Sequence, residues 1–271
     1  MGLSINRGIL TGFNEAFIIS TKKNHELTAE DPKYAEIIRP ILRGRDIKRY
    51  GYTNPDLWLL FIPWHFPLQD DGNIVGASKE AEKLFEERYP AVYKHLYTFK
   101  DALSKRNKAE TGIRYEWYAL QRWGAKYKDD FSKLKIMYPN MTKYLPFYLD
   151  TKGFVSNDKS FIISGSHLEY LVAFLNSNLF KFCFRDSFPE LLGGTRELRK
   201  IFFDKIPVMK VSDSVNQTFS DLVFKIQTQK MENNNTESYE NSVNNMIYKL
   251  YHITEEEATY IDSWVFQKQL S

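Results

Sequence analysis

At 271 residues the chain is long enough for one large domain or two modest ones, and 43% hydrophobic with 26% charged content excludes a disordered or fibrous polymer. No apolar run approaches the roughly 20 residues that span a bilayer, and the opening MGLSINRGIL lacks the apolar core of a secretion signal. The net charge is only +3, yet eleven Lys/Arg stand against five acids from Lys94 to Lys135, while four stand against nine from Val211 to Ser271.

Gly12 and Asn14 mark a turn, after which Ala16 to Ile19 reads as a buried strand. Asp31 before Pro32 supplies an N-cap and first turn for a helix running to about Arg39, which Pro40 ends or restarts. The loop ILRGRDIKRYGY, Ile41 to Tyr52, follows, with Arg43, Arg45, Lys48 and Arg49 offset only by Asp46. Leu57 to Trp64 reads as a short apolar strand stopped by Pro63. From Lys79 to Lys100, Leu84, Tyr89, Val92, Leu96 and Phe99 recur at helical spacing, with a kink or break at Pro90.

Arg106 to Asp130 is polar, basic and rich in Trp and Tyr, a pattern for surface loop and short helix. Lys133 to Asn140, Pro146 to Asp150 and Ser160 to Ser164 read as strands. Ser166 and Glu169 have the spacing of a capping box for a helix whose buried stripe is Leu168, Leu171, Val172, Leu175 and Leu179. Met231 to Asn245 has the polar composition of a mobile segment, and Thr254 with Glu257 opens a final capped helix. The one cysteine, Cys183, lies among aromatics and is expected to be buried and inert; a single thiol fits a reducing cytoplasm. Strands and helices mix without a βαβ period. The expected fold is therefore α+β, or irregular α/β: a mixed-sheet core with flanking helices over 1–210, then a polar linker and C-terminal helical segment over 211–271.

A nucleotide or S-adenosylmethionine site calls for spaced glycines between a strand and a helix, where small residues let the ligand approach the backbone, and no such series is present. His25, His65, His95, His167 and His252 are isolated, without zinc-site spacing. Asp56 could begin a nuclease metal cluster, but no Asp/Glu-x-Lys triplet follows closely; Asp46 with Lys48 and Asp150 with Lys152 fall in loops. In RYEWYALQRWGAKYK, Arg114 to Lys128, basic residues alternate with Tyr115, Trp117, Tyr118, Trp123 and Tyr127. That alternation suits base stacking with phosphate contact, and equally a half-buried amphipathic segment.

The ordered series GILTGFNEAFII, IIRPILRGRDIKRYGY, KLKIMYPNM, GFVSNDKSFIIS, LEYLVAFLNSNLFKF, Gly193-Gly194 and FFDKIPV resembles the TaqI-like C-terminal specificity (target recognition) domain of type II and IIG restriction-modification enzymes. The resemblance runs from about Ile5 to Asp262. In that family the domain follows an adenine-N6 methyltransferase whose Asn-Pro-Pro-aromatic loop meets the flipped adenine. Here the nearest string, Asn54-Pro55-Asp56-Leu57, lacks the second proline and the aromatic.

The resemblance therefore implies a recognition half without catalytic residues or cofactor of its own. S-adenosylmethionine, and any magnesium, would belong to separate catalytic domains. The implied partners are double-stranded DNA and a methyltransferase domain in cis or in trans. It places Arg43, Arg45, Lys48 and Arg49 at the DNA backbone or domain junction, and Arg114, Arg122, Trp123, Lys126 and Tyr127 in a DNA-facing region. Gly193, Gly194 and Arg196 form a loop approaching DNA or the catalytic domain. A stand-alone nuclease using Asp56 and a protein-docking scaffold are the rival readings.

Overall fold

The computed structural model describes residues 2–53, 56–106 and 114–270. Asn54 and Pro55, half of the string nearest the methyltransferase loop, lie outside them, as does the 107–113 part of the basic segment.

The architecture follows from one sheet that is buried on both faces. Ser160–Ser164 lies between Ser4–Arg7 and Lys135–Pro139, and Tyr148–Asp150 completes an antiparallel sheet of four strands. Alternate side chains of a strand point to opposite faces. Met137 and Ile162 thus enter one core, while Ile136, Tyr138 and Ile163 enter another. Burial on both faces explains why KIMYP and SFIIS read as continuous runs rather than as alternation.

The first core is closed by a second four-stranded sheet. Ile38–Leu42 pairs antiparallel with Leu57–Leu60 and parallel with Val155–Ser156, and Ile18–Ser20 adds the far edge. Pro40 sits inside Ile38–Leu42 opposite Trp58, before the parallel pairing begins at Ile41, so its missing N–H forfeits no bond on that side. Helices Lys79–Arg88 and Pro90–Tyr97 cover this core, with Pro90 at the first helical position. The second core is helical, built by Leu168–Asn176, Asn178–Phe184, Asp213–Met231 and Glu237–Leu250. The result is a mixed α/β fold with several small sheets and C-terminal helices.

Two side-chain amides seal the free but buried edge of the first sheet. Gln227 accepts from Leu149 N and donates to Leu149 O, both at 3.1 Å. Asn176 does the same for Phe147, at 3.2 and 2.8 Å. These amides stand in for a fifth strand and leave the edge nothing to pair with. Gln227→Leu is expected to lower stability by about 1–3 kcal/mol, because the Leu149 N–H and C=O would be buried unpaired; urea unfolding at constant m-value measures it.

Several local readings are corrected. Ala16 to Ile19 is divided between a helical turn, Asn14–Phe17, and the strand Ile18–Ser20. The Asp31–Pro32 start opens a 3-10 helix, Pro32–Ile37, because the hydrophobic residues beyond it are drawn into the sheet. Helix Leu168–Asn176 begins at His167 in a left-handed conformation (φ 57°) whose own side chain makes no cap bond, and Asn216 Oδ1 accepts from Tyr170 N in its first turn at 3.1 Å. Glu169 instead accepts from Asn216 at 3.0 Å. The apolar stripe beyond it is cut at Ser177, which caps a new helix through Phe180 N. Glu237–Leu250 is helical across much of the segment expected to be mobile; Val243 and Ile247 are buried, a sparse stripe masked by Asn and Ser. Cys183 is exposed rather than buried. The Thr254–Glu257 box is present, with Thr254 N and Glu257 N each bonded to the other's side chain.

Candidate nucleic-acid interface

The basic loop is held rigid from within. Asp46, 6% exposed, accepts from Arg43 Nε at 2.8 Å, from Arg43 Nη2 at 3.1 Å and from Arg43 N at 3.0 Å. Asn157 Oδ1 accepts from Gly44 N and Lys159 N, both at 3.3 Å, tying the loop to the turn before Ser160–Ser164. Gly44 permits this closeness: a Cβ there would stand 2.4 Å from Lys159 O. Arg43 is consumed by folding, and Arg45 and Lys48 are left exposed.

The hairpin Ile47–Lys48 with Gly51–Tyr52 turns the chain back through Arg49 and the buried Tyr50. Arg49 reaches Glu240 of the C-terminal helices at 2.7 Å, and Lys230 meets the same carboxylate at 2.8 Å. Burial opposes the Glu240 charge, but Arg49, Lys230 and Thr236 outweigh it and hold the carboxyl below its ordinary value. That increment of stability is present above the ordinary carboxylate pKa and is lost as acid protonates the folded carboxylate. Glu240→Gln is expected to lower stability at pH 7 by about 1–3 kcal/mol and to flatten the acid limb of a melting profile.

Beside this hairpin lies a groove of about 960 Å³. Arg45, Lys48 and Arg49 form one wall and Met141 to Pro146, including Lys143, another. Lys181 and Arg185 come from the end of helix Asn178–Phe184, and Trp264, Val265 and Lys268 from the last helix. Gly193 and Gly194 line its mouth, and Glu190 is the one acidic residue in the lining. Arg49 is balanced by Glu240 and Arg185 by Asp186, at 3.0 Å. Arg45, Lys48, Lys143 and Lys268 carry the groove's excess of positive charge, joined by Lys181 when it is protonated. Burial, with Arg49 adding repulsion, lowers the Lys181 ammonium to about 7.

The glycine loop is pinned from behind. Arg196, 6% exposed, donates to Phe188 O at 3.0 Å and pairs with Asp186 at 2.8 Å and Glu190 at 2.7 Å. Gly193 and Gly194 have φ of 72° and 74°, left-handed values that a Cβ would strain.

The second predicted group sits elsewhere, outside the groove's lining. Arg114 and Lys126 are exposed, while Arg122 is half-buried and its backbone pairs with Leu10. Trp123 packs edge-on to Phe61, with ring centroids 6.5 Å apart, and the Tyr127 hydroxyl donates to Arg7 O at 2.7 Å. Tyr115 stacks on Trp64 at 4.8 Å and Tyr118 is fully buried, so the aromatic members of this segment mostly face the first core. Arg106 and Lys135, counted as basic charge in sequence, are buried too.

The groove brings Arg45, Lys48, Arg49, Gly193 and Gly194 together and adds Lys143, Lys181, Arg185 and Lys268. No spacing pattern links these four, because three different chain segments deliver them. Asp56 accepts from the Thr21 hydroxyl, and among the described residues no group of three or more His, Cys, Asp or Glu gathers to hold a metal.

The chain is thus a two-core mixed α/β fold with a groove rich in basic residues beside a pinned glycine loop. The profile of the TaqI-like C-terminal specificity domain matches residues 39–208, and the chain belongs to that family. It is 25% identical over 236 residues to the type II methyltransferase M.MjaIV of Methanocaldococcus jannaschii, covering 82% of this chain and 72% of that protein. The fold superposes with a TM-score of 0.60 on the type IIL restriction-modification enzyme MmeI, solved in complex with DNA, at 12% identity over 98% of this chain and 35% of MmeI. The type IIG restriction endonuclease BpuSI gives a TM-score of 0.48 and 14% identity over 92% of this chain and 30% of its own. The chain spans about a third of the length of these two solved enzymes.

Proposed function

We propose that this chain is the DNA-reading module of a type II or IIG restriction-modification system, working in the cytoplasm on double-stranded DNA. It grips the phosphate backbone along the groove and positions an adenine-N6 methyltransferase domain, in cis or in trans, over its target base. The carrying observation is the convergence of Arg45, Lys48, Lys143 and Lys268 on one groove, in a chain whose family is a specificity domain. Phosphate contacts of this kind fix register but carry no sequence information. Base reading is assigned to exposed side chains, with Arg114 and Lys126 as first candidates. Trp123, Tyr127 and Arg122 serve by shaping that surface. In this reading residues 1–210 form the recognition unit, and 211–271 brace it through Glu240 and Arg49. S-adenosylmethionine, and magnesium if the system cleaves, belong to the catalytic domains.

The test is selection from a randomised duplex pool at low salt. The reading expects one enriched motif, whose binding falls steeply as salt rises. Retention of single strands as well as duplexes, or no enrichment with a methyltransferase domain supplied, would sink it.

The Lys181 ammonium makes a further prediction. Above pH 7 it is mostly neutral in the free protein, and a bound phosphate draws the proton back. Duplex affinity is therefore expected to fall by up to about tenfold per pH unit between roughly pH 7 and 8.5, and Lys181→Arg to flatten that slope. Without DNA the sign is opposite for folding. The unfolded chain holds more protons at this lysine above pH 7, so its contribution to stability rises from there towards its ordinary value of 10.5.

A further inference from the structure

Large apolar side chains that no packing explains stand at the groove: Tyr144 lines it, and Leu192 immediately precedes Gly193 of its lining. Leu192 is 98% exposed and Tyr144 73% exposed. Both project from one structural unit, since Met141–Thr142 pairs antiparallel with Arg196–Glu197. Tyr144 follows the first of these strands, and Leu192 precedes the second. The tip bearing Leu192 is not loose: Leu191 N donates to Thr195 O at 2.7 Å, Glu197 N to Pro189 O at 3.0 Å, and Arg196 clamps the base. A fully exposed leucine on a braced tip, with the exposed Tyr144 on the same unit and a groove of excess positive charge beside it, is apolar surface that folding leaves uncovered. In duplex DNA the apolar surface available beside the phosphates is the face of a base pair, reached by parting a base step.

We propose that Leu192 is a wedge that enters the base stack of the bound duplex, with Tyr144 flanking it as a second apolar or stacking contact. This rests on the reading of the groove as a DNA clamp. Gly193 and Gly194 permit the left-handed course of the tip and the Leu191–Thr195 and Glu197–Pro189 backbone bonds hold it, so little ordering is lost on insertion. Arg45 and Lys48 hold the backbone while the step opens. The wedge places a kink or an unstacked pair at a fixed distance from the phosphate grip, so it also contributes to choice of sequence through the ease with which a step deforms.

The experiment uses the full chain and a duplex carrying the selected motif, with 2-aminopurine placed at successive positions. Wild-type protein is expected to raise the fluorescence at one step as that base unstacks. Leu192→Ala, which removes no contact of the folded protein, is expected to abolish the rise and weaken binding about tenfold, with the salt slope unchanged. Leu192→Met is expected to restore most of both. Equal fluorescence and affinity for wild type and Leu192→Ala would overturn the wedge. So would intact DNA binding by Leu192→Ala together with weakened association of a methyltransferase domain, which would make the tip a protein contact. The parent reading fails separately: it falls if the Arg45→Glu, Lys48→Glu double variant binds the duplex as wild type does, whereas loss of binding there with no effect of Leu192→Ala removes the wedge alone.

Discussion

Replacing Arg45 and Lys48 together by alanine is expected to weaken duplex binding about 30-fold at 0.15 M salt and to lower the slope of log affinity against log salt by about 1.8, since each phosphate contact contributes about 0.9. Glutamate at both positions adds repulsion and goes further. The two side chains are exposed, and Lys48 bonds only to the carbonyl of Arg45, at 3.0 Å, among the contacts the structure defines. Folding should therefore be nearly unchanged, within about 0.5 kcal/mol. Arg43 makes the contrasting control. Arg43→Ala strands the buried Asp46 carboxylate and is expected to cost about 1–3 kcal/mol of stability, while leaving the salt slope of whatever protein remains folded as it was. Fluorescence anisotropy over a salt series, paired with thermal melts, separates the two outcomes.

The largest stability effect is expected at Asp150. Lys135 and Asp150 stand opposite each other in the first sheet, both 0% exposed, with Lys135 Nζ 2.5 Å from the carboxylate. Lys135 also donates to Phe131 O at 2.5 Å, and Asp150 accepts from Lys152 N and Phe154 N, each at 2.8 Å. The carboxylate thereby closes the turn that carries the chain from the first sheet to Val155–Ser156 in the second. Asp150→Ala leaves a buried ammonium unpaired and frees two backbone donors, so a loss of about 3–5 kcal/mol is expected. Replacing both partners by well-packed apolar residues should cost clearly less than the sum of the two single changes, because no charge is then left buried, although the Lys152 and Phe154 amides stay unpaired. Denaturant unfolding of the single and double variants measures this. Near-additive losses would contradict the account.

What was legible in the sequence follows from which forces act locally. The strands KIMYP, YLD and SFIIS and the break at Pro90 were readable, because apolar runs and a missing N–H act within a few residues. The proposed grip of the basic loop rests on its place in an ordered family series. Its charge count could not show that Asp46 takes Arg43 and Glu240 takes Arg49, leaving Arg45 and Lys48 exposed. The aromatic residues from Tyr115 to Tyr127 illustrate the opposite difficulty. Alternation with basic residues looks the same whether the rings meet a base or a core, and most of these rings meet the core. Helix Asp213–Met231 was not anticipated, because Asn216 and Gln227, polar in sequence, are used to bond Glu169, Tyr170 and the sheet edge. Lys143, Lys181 and Lys268 join the groove only through tertiary packing.

The central claim is that duplex DNA lies in the groove between the hairpin and the glycine loop. Site-specific photocrosslinking tests it most directly. A photoreactive phenylalanine analogue is placed at Met141, which lines the groove and is 50% exposed, or at Val75, which lies outside that lining and is 94% exposed. Irradiation with the selected duplex is predicted to crosslink the protein to DNA from position 141 and not from position 75. Crosslinking from position 75 with none from position 141 would place the DNA on another face and contradict the account.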